Sequence, residues 1–214
     1  MKEFSESYLN VLRGTFAGLN LTRILESDEF YSKQILDSIA PYEQSLIFKK
    51  NIDNTGRCVD VGFGGGFPIL PLAKLLPNIS FLGVEKIRKK ARAVDEIAKI
   101  LEISNAKLIH GNLGQINFNI PTVITFKAVG SVYQFLNLIN VSSEIFVYFY
   151  KGPSFYIDEK KDFPKILENW EQIEEKSLAV KGAGDRILLG FRNKNVLRGT
   201  FKSTEKKQNI KDLF

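Results

Sequence analysis

"VDVGFGGGFPILPLAKLLP", residues Val59 to Pro77, passes from an apolar strand through a glycine-dense turn into an amphipathic stretch. Glycines at such a turn let the backbone come close to a ligand, and the start of a helix leaves backbone N–H groups free. A tight structural turn with no ligand is the alternative. Pro68 falls in the first helical turn, where its missing N–H costs nothing. Beyond this stretch, short apolar segments alternate with longer amphipathic ones. The strands expected are Arg57–Val61, Ser80–Glu85, Lys107–His110, Val123–Lys127, Ile145–Tyr150, a weaker one near Glu175–Val180, and Arg186–Phe191. This pattern predicts an α/β fold with a seven-stranded, mainly parallel sheet covered on both faces. Gly182-Ala183-Gly184-Asp185 is turn material, so the last two strands read as an antiparallel C-terminal hairpin at one edge. That is the shape of Rossmann-like, class I methyltransferases.

Ahead of the sheet, residues 1–50 read as an N-terminal helical cap. Phe4, Tyr8 and Leu12 recur at helical spacing, as do Ile35, Leu36 and Ile39. The main domain is expected over 51–192. A basic tail at 193–214, solvated or in contact with nucleic acid, completes the chain. Asn195 to Phe201 repeats Asn10 to Phe16 residue for residue, with no physical reason evident.

The 214 residues are 44% hydrophobic, enough for a sizeable core. A formal charge of +6 favours a polyanionic partner, without separating RNA from a membrane surface. The single cysteine, Cys58, excludes an internal disulfide framework and a zinc ribbon and fits a reducing compartment, so a cytoplasmic protein is expected. No apolar run approaches the roughly 18 to 20 residues that cross a bilayer, and Met1 to Leu9 lacks a signal-peptide core. Neither a membrane nor a metal is expected as a partner, and a monomer is expected.

The glycine spacing narrows the ligand. A dinucleotide loop, G-x-G-x-x-G, would place its third glycine at Phe67. Here Gly62, Gly64 and Gly66 alternate instead, a spacing associated with S-adenosylmethionine. Glu85 ends the second expected strand about 20 residues on, where a carboxylate can accept both ribose hydroxyls of an adenosine; a surface glutamate capping Lys86 to Arg92 is the alternative. The two features together point to an adenosine-bearing cofactor. They leave NAD open, although Phe67 argues against it.

Asp60-Val61-Gly62-x-Gly64-Gly65-Gly66-Phe67-Pro68-x-x-Pro71-Leu72-Ala73 resembles the cofactor motif of the GidB/RsmG family, bacterial methyltransferases that modify guanine N7 in 16S ribosomal RNA. Asn20-Leu21-Thr22, Ile35-Leu36-Asp37-Ser38, Thr125-Phe126-Lys127-Ala128 and Lys151-Gly152 resemble further family segments, so the likeness spans about residues 19 to 191. The resemblance implies S-adenosylmethionine as cofactor and 16S RNA or the small ribosomal subunit as partner. It implies cofactor contacts from Gly62, Gly64, Gly66, Phe67 and Glu85, with Leu113 and Gly114 at the adenine. Lys127 would lie at the methionine end of the cofactor or at the target nucleotide. Lys127, Lys151 and Asp37 are candidates for positioning the substrate. The chain departs from the family at Gln34, usually histidine; at Lys127, usually arginine; at Phe63 and Ile69, usually small; and at Asn112–Gln115, where a glutamate is usual. Lysine offers a point charge where arginine offers a two-pronged grip.

Guanine N7 carries a free lone pair, so methyl transfer to it needs positioning and no general base. His110, the only histidine, therefore reads as structural, and Cys58 as a buried small side chain. Asp37 can stabilise the cationic product or pair within the cap. Lys86-Ile87-Arg88-Lys89-Lys90-Ala91-Arg92 opens a helix with charges that oppose its dipole; it can follow RNA phosphates or be a solvated face. Two other functions stay open: a small-molecule methyltransferase, and a non-catalytic RNA-binding or ribosome assembly factor on the same fold.

Overall fold

The strand expected at the head of the glycine turn, β1, spans Arg57–Val61 and lies in the interior of the sheet, third from one edge. A computed structural model of the chain describes residues 1–194 and 207–214, and both copies of the seven-residue repeat cannot be compared because the second lies outside the described residues. Helices α1 (Lys2–Arg13), α2 (Ser27–Phe30), α3 (Asp37–Gln44) and α4 (Leu46–Thr55) precede β1. A π-helical turn over Tyr31–Leu36 joins α2 to α3. After β1 come α5 (Ile69–Leu75), β2 (Ser80–Glu85), α6 (Arg88–Ile100), β3 (Ala106–His110), β4 (Ile116–Phe118) and β5 (Thr122–Lys127). The rest is α7 (Val132–Leu138), β6 (Asn140–Val141), β7 (Ile145–Lys151), α8 (Phe155–Asp158), α9 (Phe163–Asn169), β8 (Trp170–Val180), β9 (Gly184–Asn193) and β10 (Gln208–Asn209).

The main sheet has the order β3-β2-β1-β5-β7-β9-β8, parallel from β3 through β7, with β9 antiparallel to both β7 and β8. All seven expected strands are present, and the late pair is the expected hairpin. Order reverses between β1 and β5, and it is at the carboxyl ends of such a pair that open α/β sheets bind ligands.

Alternation along the strands divides the core. Cys58, Phe81, Val123, Tyr148 and Leu188 face the cap helices with α5 and α6, whereas Val59, Leu82, Ile124, Val147 and Leu189 face the opposite side. The same period places Asp60, Thr125 and Lys127 on the cap side. Tyr8, Phe30 and Phe67 pack ring against ring there, Tyr8 stacking on Phe67 at 5.1 Å. Helix α4 starts on Ser45, whose hydroxyl accepts from Phe48 N, and stops at Gly56 with φ +66°. The cap also covers the open edge of β8, where the Gln44 amide accepts from Ala179 N and donates to Ala179 O.

The opposite face carries an element that the sequence pattern does not announce. β10, β4 and β6 form a second, three-stranded parallel sheet. The last eight residues, expected within a solvated basic tail, are packed instead: Ile210 and Leu213 are buried in the core, and the Leu213 carbonyl accepts from Lys107 Nζ at 2.8 Å. Burial of these two apolar residues outweighs the charge of their neighbours.

Candidate functional site

The glycine turn runs from the carboxyl end of β1 with positive φ at Gly62 (+73°), Gly64 (+54°) and Gly66 (+90°), values that favour glycine. The glycines do not all serve one purpose. A Cβ on Gly64 would meet nothing closer than Gly62 O at 3.9 Å, so this residue faces open space. A Cβ on Gly65 would lie 2.5 Å from Leu21 O, and one on Gly66 would strike the Tyr8 hydroxyl. Gly65 and Gly66 are therefore glycine because the cap packs against them. Phe67 belongs to the same contact, with its ring in the aromatic cluster and 7% exposed. Phe63 turns the other way onto Gly83 of β2, where any side chain would strike its ring. That glycine makes room for the large residue at position 63.

Glu85 ends β2 as expected but is buried, not a surface residue. Its Oε2 accepts from Gly64 N at 3.1 Å and its Oε1 from Ile87 N at 2.9 Å. One carboxylate thus ties the glycine turn to the start of α6. Each oxygen keeps a second lone pair for a hydroxyl.

Asp60, in the middle of the motif, was given no role by sequence reasoning. It is 1% exposed, and its Oδ1 accepts from Thr125 Oγ1 at 2.8 Å across the β1/β5 pair. Its Oδ2 is buried without a hydrogen bond among the described residues, although the Ile69 N–H at the start of α5 lies near enough to favour the charged form. Burial, opposed by Thr125, Lys127 and Ile69, pushes its carboxyl up to about 7. A buried carboxylate oxygen left unpaired beside a glycine turn is a place for a cation or an N–H donor.

Lys127 ends β5 beside this group. Its ammonium pairs with Asp37 Oδ2 at 2.9 Å and donates to Ser38 Oγ and Lys33 O, each at 3.3 Å. Lys33 lies in the π-helical turn, so the irregular helix and the lysine meet at the site. Arg186 Nε of β9 holds the other Asp37 oxygen at 2.9 Å. Burial lowers the Lys127 pKa and Asp37 opposes that shift. Asp37 is therefore held between two cations and ties the cap to the sheet. Next in the chain, Ala128 has φ +54°, a left-handed conformation that is uncommon for a residue with a side chain and concentrates at functional sites.

Lys151 ends β7 at the same sheet edge. Its ammonium donates to Gly130 O and pairs with Glu159 Oε1, both at 2.7 Å, while Glu159 Oε2 accepts from Val132 N at 2.6 Å. These bonds fix the loop after β5 that leans over the turn, where Val129 Cγ1 comes within 2.9 Å of where a Gly62 Cβ would stand. Leu113 and Gly114 lie in a 3₁₀ turn after β3, Leu113 buried and Gly114 N held by Asn112 Oδ1 at 3.1 Å. His110 ends β3 on the surface, and Cys58 is buried with its thiol 3.9 Å from Thr125 Oγ1. Burial pushes that thiol up, which keeps it protonated and unreactive. No group of residues suited to hold a metal occurs among the described residues.

A seven-stranded sheet of this order, with its glycine turn and acidic residues at the carboxyl ends of β1 and β2, has the architecture of the Rossmann-like methyltransferases. The chain belongs to the GidB family, described as rRNA small subunit methyltransferase G, whose model matches residues 1–189. It is 42% identical over 91 residues to a ribosomal RNA small subunit methyltransferase G from Synechococcus sp. (strain CC9311), covering 42% of this chain and 35% of the relative. A protein of the same name from Leuconostoc mesenteroides is 33% identical over 116 residues, covering 53% of this chain and 46% of the relative. The aligned stretches thus span less than half the length of these relatives. Among solved structures, a protein from Pyrococcus horikoshii OT3 superposes with a TM-score of 0.53 at 14% identity, over 86% of this chain and 99% of that one. A SAM-dependent methyltransferase from Aquifex aeolicus superposes with a TM-score of 0.51, also at 14% identity, over 74% and 92%. At such identities the likeness is one of fold.

Proposed function

We propose that this chain transfers the methyl group of S-adenosylmethionine to N7 of a guanine in 16S ribosomal RNA of the small subunit. Family membership supports the substrate class. The observation that carries the cofactor is the unpaired Oδ2 of Asp60, buried beside a glycine turn with open space over Gly64. A free amino acid end carries an α-ammonium, and an anionic Asp60 is its natural partner. Glu85 would take the ribose hydroxyls, Leu113 and Gly114 the adenine, and the Gly62 and Gly64 backbone the methionine end. The Lys127 ammonium, already held by Asp37, would meet the cofactor carboxylate or an RNA phosphate.

The cofactor supplies a methyl group activated by a sulfonium. The protein has to hold the guanine N7 lone pair in line with that bond and exclude water, and the lone pair makes a base unnecessary. Among the described residues the titratable groups nearest the site are committed elsewhere: Lys127 and Lys151 are tied in ion pairs, and the buried Asp60 would hold the cofactor ammonium. In this reading residues 1–50 form a cap that shapes the site, residues 51–192 carry out transfer, and residues 193–214 complete the chain. It acts as a monomer in the cytoplasm.

The test is transfer of labelled methyl from S-adenosylmethionine to 16S RNA and to small subunits lacking native modification, with the base identified by mass spectrometry. Label recovered as 7-methylguanosine at one site supports the reading. Intact cofactor binding without RNA label would move the acceptor elsewhere, a small molecule included.

A further inference from the structure

Two recesses flank the amino-terminal half of α6, and Arg88 and Arg92 line both. The larger, about 430 Å³, lies between α6 and the segment after α1, with Phe16, Leu19 and Ala93 forming apolar walls and Lys89 and Glu96 completing the lining. The smaller, about 270 Å³, lies towards β3 and is lined by Ala91, Leu108, His110 and Asp95 as well. The two arginines therefore form a cationic ridge between two concavities with apolar surfaces.

The charges on this ridge do not serve the fold. Arg88, Lys89 and Arg92 are exposed and form no ion pair with the described residues, whereas Lys99, further along the same helix, is paired with Asp95 at 2.6 Å. Cations in the first turns of a helix oppose its dipole, so the arrangement costs stability unless an anion offsets it. The ridge also starts three residues after Glu85, and the apolar walls end two residues before Leu21, whose carbonyl packs on Gly65. It adjoins the glycine turn.

We propose that this ridge carries the phosphate backbone of a single-stranded step in the RNA substrate, with one base in each recess. Phosphates meet Arg88, Lys89 and Arg92, and base faces meet Leu19 and Phe16 on one side and Leu108 with His110 on the other. Glu96 lines one recess and Asp95, paired with Lys99, the other, and a carboxylate repels phosphate but accepts from the N–H groups of a base. An acidic peptide fits less well, because it would leave the apolar walls unfilled and meet these carboxylates. The inference rests on the RNA reading given above.

The test compares the wild-type chain with Arg88→Gln/Arg92→Gln and with Leu19→Glu, using fluorescence anisotropy on a labelled single-stranded fragment of 16S RNA over a range of salt. All three positions lie outside the cofactor cleft, so S-adenosylmethionine affinity, measured by calorimetry, reports intact folding. Loss of two phosphate contacts should flatten the slope of log affinity against log salt by about 1.4 and lower low-salt affinity on the order of tenfold. Leu19→Glu should weaken binding without flattening the slope. Unchanged affinity and slope in the double variant would overturn the ridge while leaving the methyl acceptor untouched. Failure of the wild-type chain to bind RNA, or equal binding of polyglutamate, would overturn it as well. Wild-type binding with a ridge-dependent slope but no methyl transfer to RNA would count against the proposed reaction alone.

Discussion

The Tyr8 hydroxyl donates to the carbonyl of Gly65 at 2.5 Å, joining the first helix to the glycine turn across 57 positions of sequence. The bond is fully buried, and burial pushes the phenol far up, so Tyr8 remains a donor at any working pH. The cap is therefore built into the glycine turn and is not an appendage to it.

Tyr8→Phe keeps the ring against Phe67 but leaves Gly65 O without its partner. The expected cost is about 1–2 kcal/mol, a melting temperature roughly 2–8 °C lower, with weaker cofactor binding in calorimetry. Unchanged affinity for S-adenosylmethionine would show that the turn holds its shape without the cap. Gly66→Ala should be worse, since its Cβ would strike the same hydroxyl in a left-handed backbone.

Asp60 makes a prediction with opposite signs for stability and binding. Its carboxyl is raised from 3.8 to about 7 in the folded chain. That contribution to stability is complete below the unfolded value and is lost as pH rises to about 7, on the order of 1 kcal/mol per pH unit. Binding of a cofactor ammonium needs the charged form, so affinity should rise over the same interval. Asp60→Asn should remove both trends, gaining stability on wild type between pH 5 and 7 in denaturant titrations while losing cofactor binding. Parallel pH profiles for the two proteins would place the titration elsewhere.

The Lys127–Asp37–Arg186 group predicts a contrast between two substitutions. Lys127→Met leaves Asp37 buried with Arg186 alone and should cost about 3 kcal/mol, read from the midpoint of urea unfolding. Lys127→Arg restores the family's usual residue and keeps the charge, so it should retain the fold and bind S-adenosylmethionine at least as tightly. A loss of affinity in the arginine variant would mean that the cleft has been reshaped around lysine.

The inner strands were legible because each is a run of apolar residues long enough to show its period, and the same alternation puts Asp60, Thr125 and Lys127 on one face, whereas the edge strand β8 is rich in charged residues and showed only its last residues. Arg186 could not be joined to Asp37 in this way, since 149 positions separate them and only the folded sheet brings β9 under the cap. Gly66 and Phe67 are expected at the cofactor, and their packing against Tyr8 was not legible, because a glycine turn looks the same in sequence whether a ligand or a helix approaches it. The small sheet left no periodic trace: its strands have three, two and two residues.

Ile210 gives the sharpest test of that second sheet. It is fully buried among the apolar residues opposite the cap, just after β10 pairs with β4. In a solvated tail, Ile210→Ala would change stability by no more than about 0.5 kcal/mol. In the packed arrangement it removes three carbons from the core and should cost about 2–4 kcal/mol. Native-state hydrogen exchange separates the two outcomes further, because loss of the β10–β4 pairing would raise exchange at Ile116 and Asn117 while leaving β1 and β5 protected. An alanine variant as stable as wild type would return these eight residues to the solvent.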